Sequence, residues 1–327
     1  MIKYIIKRLV NYVIMLFVAI SMTYFLASAF MDPRSNYMSR NPRPPEASID
    51  RSLDLANIND KTPVLVRYVN WLKGIVTEWN WGLSPDQEPV APAVASRISA
   101  SVQLVTISTI LAIIIGVSLG VYTAIRQYKW QDRALNALST LFLVIPSAVL
   151  GLLIVLGAIS INNATGVRIF YVTGLHSYEG NNIGLSILDF LQHIILPTIV
   201  LVCIGYVNYH LTQRTYLLDT MNADYVRTAR AKGLTLNQAI RKHALRTSLI
   251  PTTTNIAFSI ASIFTGAVIT ETVFAINGLG RYFVTTINDN DINGAVCIAA
   301  FSGVCTLCGA LAADILAAWL DPRIRLS

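Results

Sequence analysis

Asn222-Ala223-Asp224-Tyr225-Val226-Arg227-Thr228-Ala229-Arg230-Ala231-Lys232-Gly233-Leu234 is a polar, basic stretch set between two long apolar runs, Ile194–Gln213 and Ser248–Thr270. Its pattern predicts a short, separately capped helix. Asn222 offers a side-chain oxygen at the N-cap, Asp224 complements the positive helix end, Lys232 the negative one, and Gly233 suits C′. Ten residues of helix extend roughly 15 Å, about half the hydrocarbon thickness of a bilayer. The stretch cannot span a membrane, whereas the runs on either side can. A rigid basic helix held between two spans is placed to dock on something.

Working outward, six runs with few or no charges reach the roughly 20 residues that a span requires. They are Leu9–Phe30, Ser101–Ile125, Ala134–Ile161, Ile194–Gln213, Ser248–Thr270 and Gly294–Leu320, with His210 and Asp314 late in the fourth and sixth. Charged residues make up 13% of the chain, about half the roughly 25% of a soluble domain. The expectation is an all-α integral membrane protein with six transmembrane helices.

Lysine and arginine in the short connections set the orientation. Lys3, Lys7 and Arg8 precede the first run, and Arg126, Lys129 and Arg133 separate the second and third. Seven more basic residues, from Arg214 to Arg246, separate the fourth and fifth, and Arg323 and Arg325 follow the sixth. The alternate connections, 162–193 and 271–293, hold only Arg168 and Arg281. Both termini are therefore expected in the cytoplasm. The net charge of +7 belongs to this cytoplasmic rim and does not point to nucleic acid. Lys7-Arg8 followed by an apolar run and Ala27-Ser28-Ala29 also resembles a signal peptide. That run exceeds the 7–15 residues of an ordinary signal core, so it reads as the first span.

The chain divides into 1–30 with the first span, an extracytoplasmic segment 31–97, and a core 98–327 that carries a cytoplasmic loop, 214–247. In the external segment Pro33, Pro42, Pro44 and Pro45 predict irregular chain, and Val64–Trp81 an amphipathic helix. Its aromatics either anchor at the headgroup level or cap an external partner.

Chemistry is missing. Cys305-Thr306-Leu307-Cys308 has redox or zinc spacing, but no second pair accompanies it and it falls inside a span. Gly278-Leu279-Gly280-Arg281 is too short for a phosphate loop, and no G-x-S-x-G, H-E-x-x-H or intramembrane carboxylate cluster occurs. A solute carrier of this composition would take its energy from a partner. Pro146 in the third span and Pro197 in the fourth can bend helices at a pathway or gate, or be packed as simple kinks. Thr252-Thr253-Thr254-Asn255 can line a water-filled route or bond between helices, and Glu271 can organise an outer gate.

Several stretches together resemble one family. Asp224-Tyr225 followed by Arg227-Thr228-Ala229-Arg230-Ala231-Lys232-Gly233-Leu234 is similar to the cytoplasmic EAA loop of ABC importer permeases, in the form found in the "B" subunit of the oligopeptide/dipeptide/nickel group. Arg227, Thr228 and Ala229 fall where the general motif has Glu-Ala-Ala, and Gly233 is its glycine. His243–Pro251, Met1–Leu9, Asp321-Pro322-Arg323-Ile324-Arg325 and Glu271-Thr272-Val273-Phe274 with Gly278-Leu279-Gly280 resemble further parts of that group. Asn277 and Ile276 depart from its usual proline and tryptophan.

The resemblance implies a type I ABC importer-like fold in a bacterial or archaeal cell membrane. It implies a second homologous permease, one or two P-loop ATPase subunits and an extracytoplasmic solute-binding protein. ATP and Mg would sit on the ATPases and no cofactor on this chain. The solute is expected to be an oligopeptide or dipeptide, with nickel, glutathione and some sugars as alternatives. The basic helix would be the coupling helix, Asp224 to Gly233, seated in an ATPase cleft. Tyr225 and Val226 would anchor it, Ala229, Ala231 and Gly233 would permit close approach, and Arg227 and Arg230 would meet acidic groups. Thr235-Leu236-Asn237-Gln238 would start a second short helix through a capping box, with Leu236, Ala239 and Ile240 on one face. A gated channel would need no such elbow, and a membrane-embedded enzyme would need a catalytic constellation.

Overall fold

The computed structural model describes residues 2–178, 180–263 and 267–320. Among them the regular structure is helical: α1 Ile2–Phe30, α2 Ser35–Met38, α3 Glu46–Leu55, α4 Val64–Glu78, α5 Val90–Ile125, α6 Trp130–Val144, α7 Ser147–Thr165, α8 Ile183–Met221, α9 Asp224–Ala231, α10 Leu236–Ala239, α11 Leu245–Ile263, α12 Val268–Val273, α13 Leu279–Asn288 and α14 Ile292–Leu320. Five helices are long and apolar enough to cross a membrane, namely those over Arg8–Met38, Val90–Ile125, Ser147–Thr165, Ile183–Met221 and Ile292–Leu311. The expected third span is not one helix. It breaks between α6 and α7, where Ile145 and Pro146 are both extended (ψ 123° and 136°), because Pro146 cannot donate to the ladder and forces the preceding residue out of helical geometry. The expected fifth span is represented by α11, 19 residues with Pro251 inside. Its polar stretch Thr252–Asn255 keeps it out of the apolar five. The C-terminal stretch 321–327 and the side chain of Asp314 lie outside the described residues.

The chain forms two compact units. The first comprises 1–102, 264–272 and 277–308. The segment 31–97 is folded here around an aromatic core. Tyr24 of α1 lies 5.4 Å from Tyr68 and 4.9 Å from Trp71 of α4, and Trp71 lies 6.0 Å from Trp81 (ring centroids). Ile49, Leu53, Ile58, Ile292 and Val296 complete it. Most of the α4 aromatics therefore pack internally, and Trp79 is the one left 71% exposed. Arg34 ties the irregular chain together, donating to Asp60 at 2.8 Å, Asp50 at 2.7 Å and Asn59 at 3.2 Å.

The same unit contains a second knot. Glu271 is completely buried. Its carboxylate accepts from Ser101 Oγ (2.7 Å) and from the backbone N–H groups of Ala267 (3.1 Å) and Arg281 (2.9 Å), while Leu279 N–H donates to Ser101 Oγ (2.8 Å). The negative charge sits at the N-terminus of α13, where orphan N–H groups and the helix dipole favour it. A Cβ on Gly278 would lie 2.6 Å from Ser101 Oγ, and one on Gly280 2.7 Å from Val268 Cα. The Gly278-Leu279-Gly280 motif is thus a consequence of close approach around Glu271. Its carboxylate is thus committed to the shape of this loop.

The second unit comprises 103–263, 273–276 and 309–327. Its axis is α8, 39 residues long, or roughly 58 Å at 1.5 Å per residue, well beyond the roughly 30 Å of a hydrocarbon core. The pair Gly116 and Gly120 lets α5 touch it backbone to backbone. A Cβ at Gly116 would fall 2.6 Å from Tyr206 O, and one at Gly120 2.8 Å from His210 O. This is the small-xxx-small contact expected between membrane helices.

Candidate functional site

Toward its C-terminal end α8 carries a ladder of buried and half-buried polar residues that bond to α5, α6 and α11. His210 bonds Thr123 of α5 through Nε2 (3.0 Å) and Ser139 of α6 through Nδ1 (2.7 Å). Gln213 donates to Ser248 of α11 (2.9 Å) and accepts from Thr252 (2.5 Å). Arg214 grips Asp132 of α6 with two bonds, Nε to Oδ1 at 2.8 Å and Nη2 to Oδ2 at 3.0 Å. The Arg214 guanidinium, aided by the Tyr128 N–H, holds the Asp132 carboxyl below the usual carboxylate range. Thr220, nearly two turns further on, donates to Ala244 O (3.3 Å).

The predicted short helix follows as α9. It is capped at the start differently from the expectation. Asn222 is the C-cap of α8, and the N-cap of α9 is Ala223, whose side chain makes no capping bond. The C-terminal end is as expected. Gly233 has φ +93°, with Gly233 N–H to Arg230 O at 3.0 Å and Leu234 N–H to Ala229 O at 3.3 Å, the paired bonds of a Schellman motif. A Cβ at Gly233 would meet nothing within 4 Å, so its requirement is conformational and not one of space. The Thr235–Gln238 capping box is formed, and α10 passes through a π turn, Ile240–Ala244, into α11.

Two roles read from the sequence need correction. Val226 and Ala229 are buried within the chain, against Ala124, Leu217, Ala239, Ile240 and Ala244, so they fasten α9 to its own unit and cannot anchor a partner. Leu236, expected beside Ala239 and Ile240, is 45% exposed instead. The outward surface of α9 and its cap carries Asp224, Tyr225, Arg227, Thr228, Arg230, Ala231, Lys232 and Gly233, with Tyr225 at 43% its large apolar side chain and a loose Asp224–Arg227 ion pair at 3.7 Å. The i,i+3 pairing of Arg227 with Arg230 stays on this open side.

Of the path candidates, Pro146 lies at the α6–α7 break and Thr252 is buried in the Gln213 bond. Thr253 bonds its own helix at Leu249 O (2.8 Å), and Asn255 is half-buried. Unread in the sequence were the α8 ladder and Gly116-x-x-x-Gly120, although His210, Gln213 and Arg214 recur at helical spacing along one face.

In chain order the elbow thus sits between helices long and apolar enough to cross a membrane. Residues 116–326, which include the ladder and the elbow, match the family described as "Binding-protein-dependent transport system inner membrane component". The chain belongs to that family. Relatives along its full length include the oligopeptide transport system permease protein OppB of Mycobacterium tuberculosis (strain ATCC 25618 / H37Rv), 37% identical with both chains wholly covered. The oligopeptide transport system permease protein AppB of Bacillus subtilis (strain 168) is 33% identical, over 99% of this chain and 100% of its own. The dipeptide transport system permease protein DppB of Lactococcus lactis subsp. cremoris (strain MG1363) is 31% identical over both complete chains. As a member of this family, the chain is the membrane-embedded permease component of a transport system, with several apolar helices.

Proposed function

We propose that this chain is one of two permease subunits of an ATP-driven, binding-protein-dependent peptide importer. It has six membrane crossings, the fifth made by α11, and both termini lie in the cytoplasm of a bacterial cell. The division at 30 and 97 separates the first span and external segment from the transporting core. ATP and Mg are held by P-loop ATPase partners, on which Asp224–Gly233 docks as the coupling helix. Oligopeptides or dipeptides are the solute, delivered by an extracytoplasmic binding protein, in keeping with the names of three full-length relatives.

The observation that carries the reading is the elbow. Its inner face is buried against α5 and α8, while its outer face offers an aromatic and two arginines to a partner. Movement imposed on α9 would pass to α8 and α11 together through the Gln213 ladder, as a rigid body. The test is gentle extraction of the tagged chain, followed by mass spectrometry and uptake in proteoliposomes. A P-loop ATPase and a second permease should co-purify, and peptide uptake should require ATP and the binding protein. Purification only as copies of itself, with ATP-independent flux, would replace the reading by a channel.

A further inference from the structure

Polar side chains within a span normally find partners, since lipid offers none. In the second unit many do, through the ladder or a carbonyl one turn back in their own helix, whereas buried Thr198 has no partner among the described residues. Asn208 of α8 is bonded only weakly. It is exposed, and its one bond among the described residues is a 3.5 Å contact accepted from Thr212. Thr109 of α5 is half-buried, and no bond of its hydroxyl occurs among the described residues. Both open onto the same cleft of about 280 Å³ between α5, α8 and α11, with Ser108, Tyr209 and Ser259 also in its wall. Among the described residues no charged side chain lines it. Counted along α8, Asn208 lies six residues before Arg214, or roughly 9 Å. Thr109 lies eleven residues before Gly120, which packs at the level of Arg214, or roughly 16 Å. The cleft is therefore near the middle of a roughly 30 Å hydrocarbon layer, a depth at which an unpaired amide facing lipid is costly.

We propose that this cleft is a station on the translocation path that binds the peptide main chain, Asn208 and Thr109 pairing with its amide groups. The inference rests on the peptide-importer reading above. A primary amide presents a donor and an acceptor side by side, which matches the C=O and N–H of a peptide unit. The neutral lining makes the grip independent of side-chain charge. The volume falls just under the roughly 300 Å³ of small ligand pockets, so the cleft holds a short segment and not a whole peptide. Its wall also carries the Tyr209–Ser259 hydroxyl pair (2.5 Å), with Ser259 donating on to Asn255 O (3.0 Å).

The test uses the complete transporter in proteoliposomes. Asn208→Leu with Thr109→Val should lower peptide uptake about tenfold or more, with ATP hydrolysis stimulated by the loaded binding protein staying within about twofold. Asn208→Asp should create a preference absent from the parent, uptake of a lysine-containing peptide exceeding that of its glutamate counterpart by about tenfold. The thiol introduced by Asn208→Cys should react with a charged, water-soluble reagent above the baseline of the parent chain, and more slowly while peptide is being transported. Wild-type uptake in the first two variants, or a thiol unreactive in every nucleotide state, would overturn the station and leave the transporter reading intact. Lack of any ATP-dependent uptake by the parent complex would instead strike the transporter reading itself.

Discussion

Glu271 in the first unit and Gln213 in the second are both completely buried, yet they bond to different things. Glu271 gathers backbone N–H groups and one serine around a single carboxylate. Gln213 is one rung among several, each a side chain meeting a side chain on another helix. The first arrangement fixes the shape of a loop, because main-chain groups cannot change rotamer. The second distributes the joining of four helices over many modest bonds, so no single rung is indispensable. Loop shape is concentrated in one residue; helix registry is shared.

That contrast is open to direct attack. Glu271→Ala strands three donors in a dry site, each costing roughly 1–3 kcal/mol, so a loss of about 4 kcal/mol is expected, read as a collapse in yield or thermal midpoint of the detergent-solubilised protein. A midpoint within 2 °C of the parent would show that the clip is not concentrated there. In the same unit, burial pushes the Asp291 carboxyl up to about 6, with Asp289 and Asp86 adding to the rise. The folded form then binds the proton more tightly than the unfolded one. Stability should fall as pH rises from about 4 through 6, by on the order of 3 kcal/mol, and stay low above. Asp291 Oδ1 accepts from Gly294 N–H (2.8 Å) at the start of α14, a cap that Asn also supplies, so Asp291→Asn should raise the midpoint at pH 7.5 and leave it nearly unchanged at pH 4.5. An equal gain at both pH values would remove the charge from the explanation.

On the shared side the effects should be smaller. Arg214→Ala leaves Asp132 buried and unpaired, for about 2–3 kcal/mol, and Arg214→Lys should recover part of it, measured as midpoints side by side. Because the lowered Asp132 carboxyl favours folding only while ionised, the gap between parent and Arg214→Ala should close as pH falls below about 4. Gly233→Val forces a branched residue to φ +93°, at roughly 1–2 kcal/mol. Insertion should persist while transport fails. Tyr225→Ala should shift stability by less than about 0.5 kcal/mol, since its side chain is largely open to solvent, but should uncouple ATP hydrolysis from uptake. Normal coupling in Tyr225→Ala would move the docking surface elsewhere on the elbow.

Much of this organisation could be read from the chain because it depends on local signals. Apolar runs marked the long helices, Gly233 its left-handed cap, and Thr235 with Gln238 their capping box. What escaped depends on long-range partners. Whether Thr252 lines a route or bonds a neighbour is decided by Gln213, 39 residues away. Val226 is apolar in either role, and only the packing of Leu217 and Ala244 reveals that it points inward. The break at Pro146 was legible as a weak point, but its full separation into two helices depends on Ile145 becoming extended as well. Asn222 satisfied the composition rule for an N-cap, yet α8 simply ran on to Met221 and made it the end of the preceding helix.

The π turn at Ile240–Ala244 gives the elbow a spare residue. A wide turn of this kind accommodates one more amino acid than the α-helices on either side of it require. Removing a single residue from 240–244 would let the ladder close into ordinary α geometry, leaving Ala239 in its cluster and Ser248 opposite Gln213. The same deletion two turns later, within α11, has no slack to absorb it and would swing every following side chain by about 100°. Length in this part of the chain is therefore forgiving at one spot and strict everywhere around it.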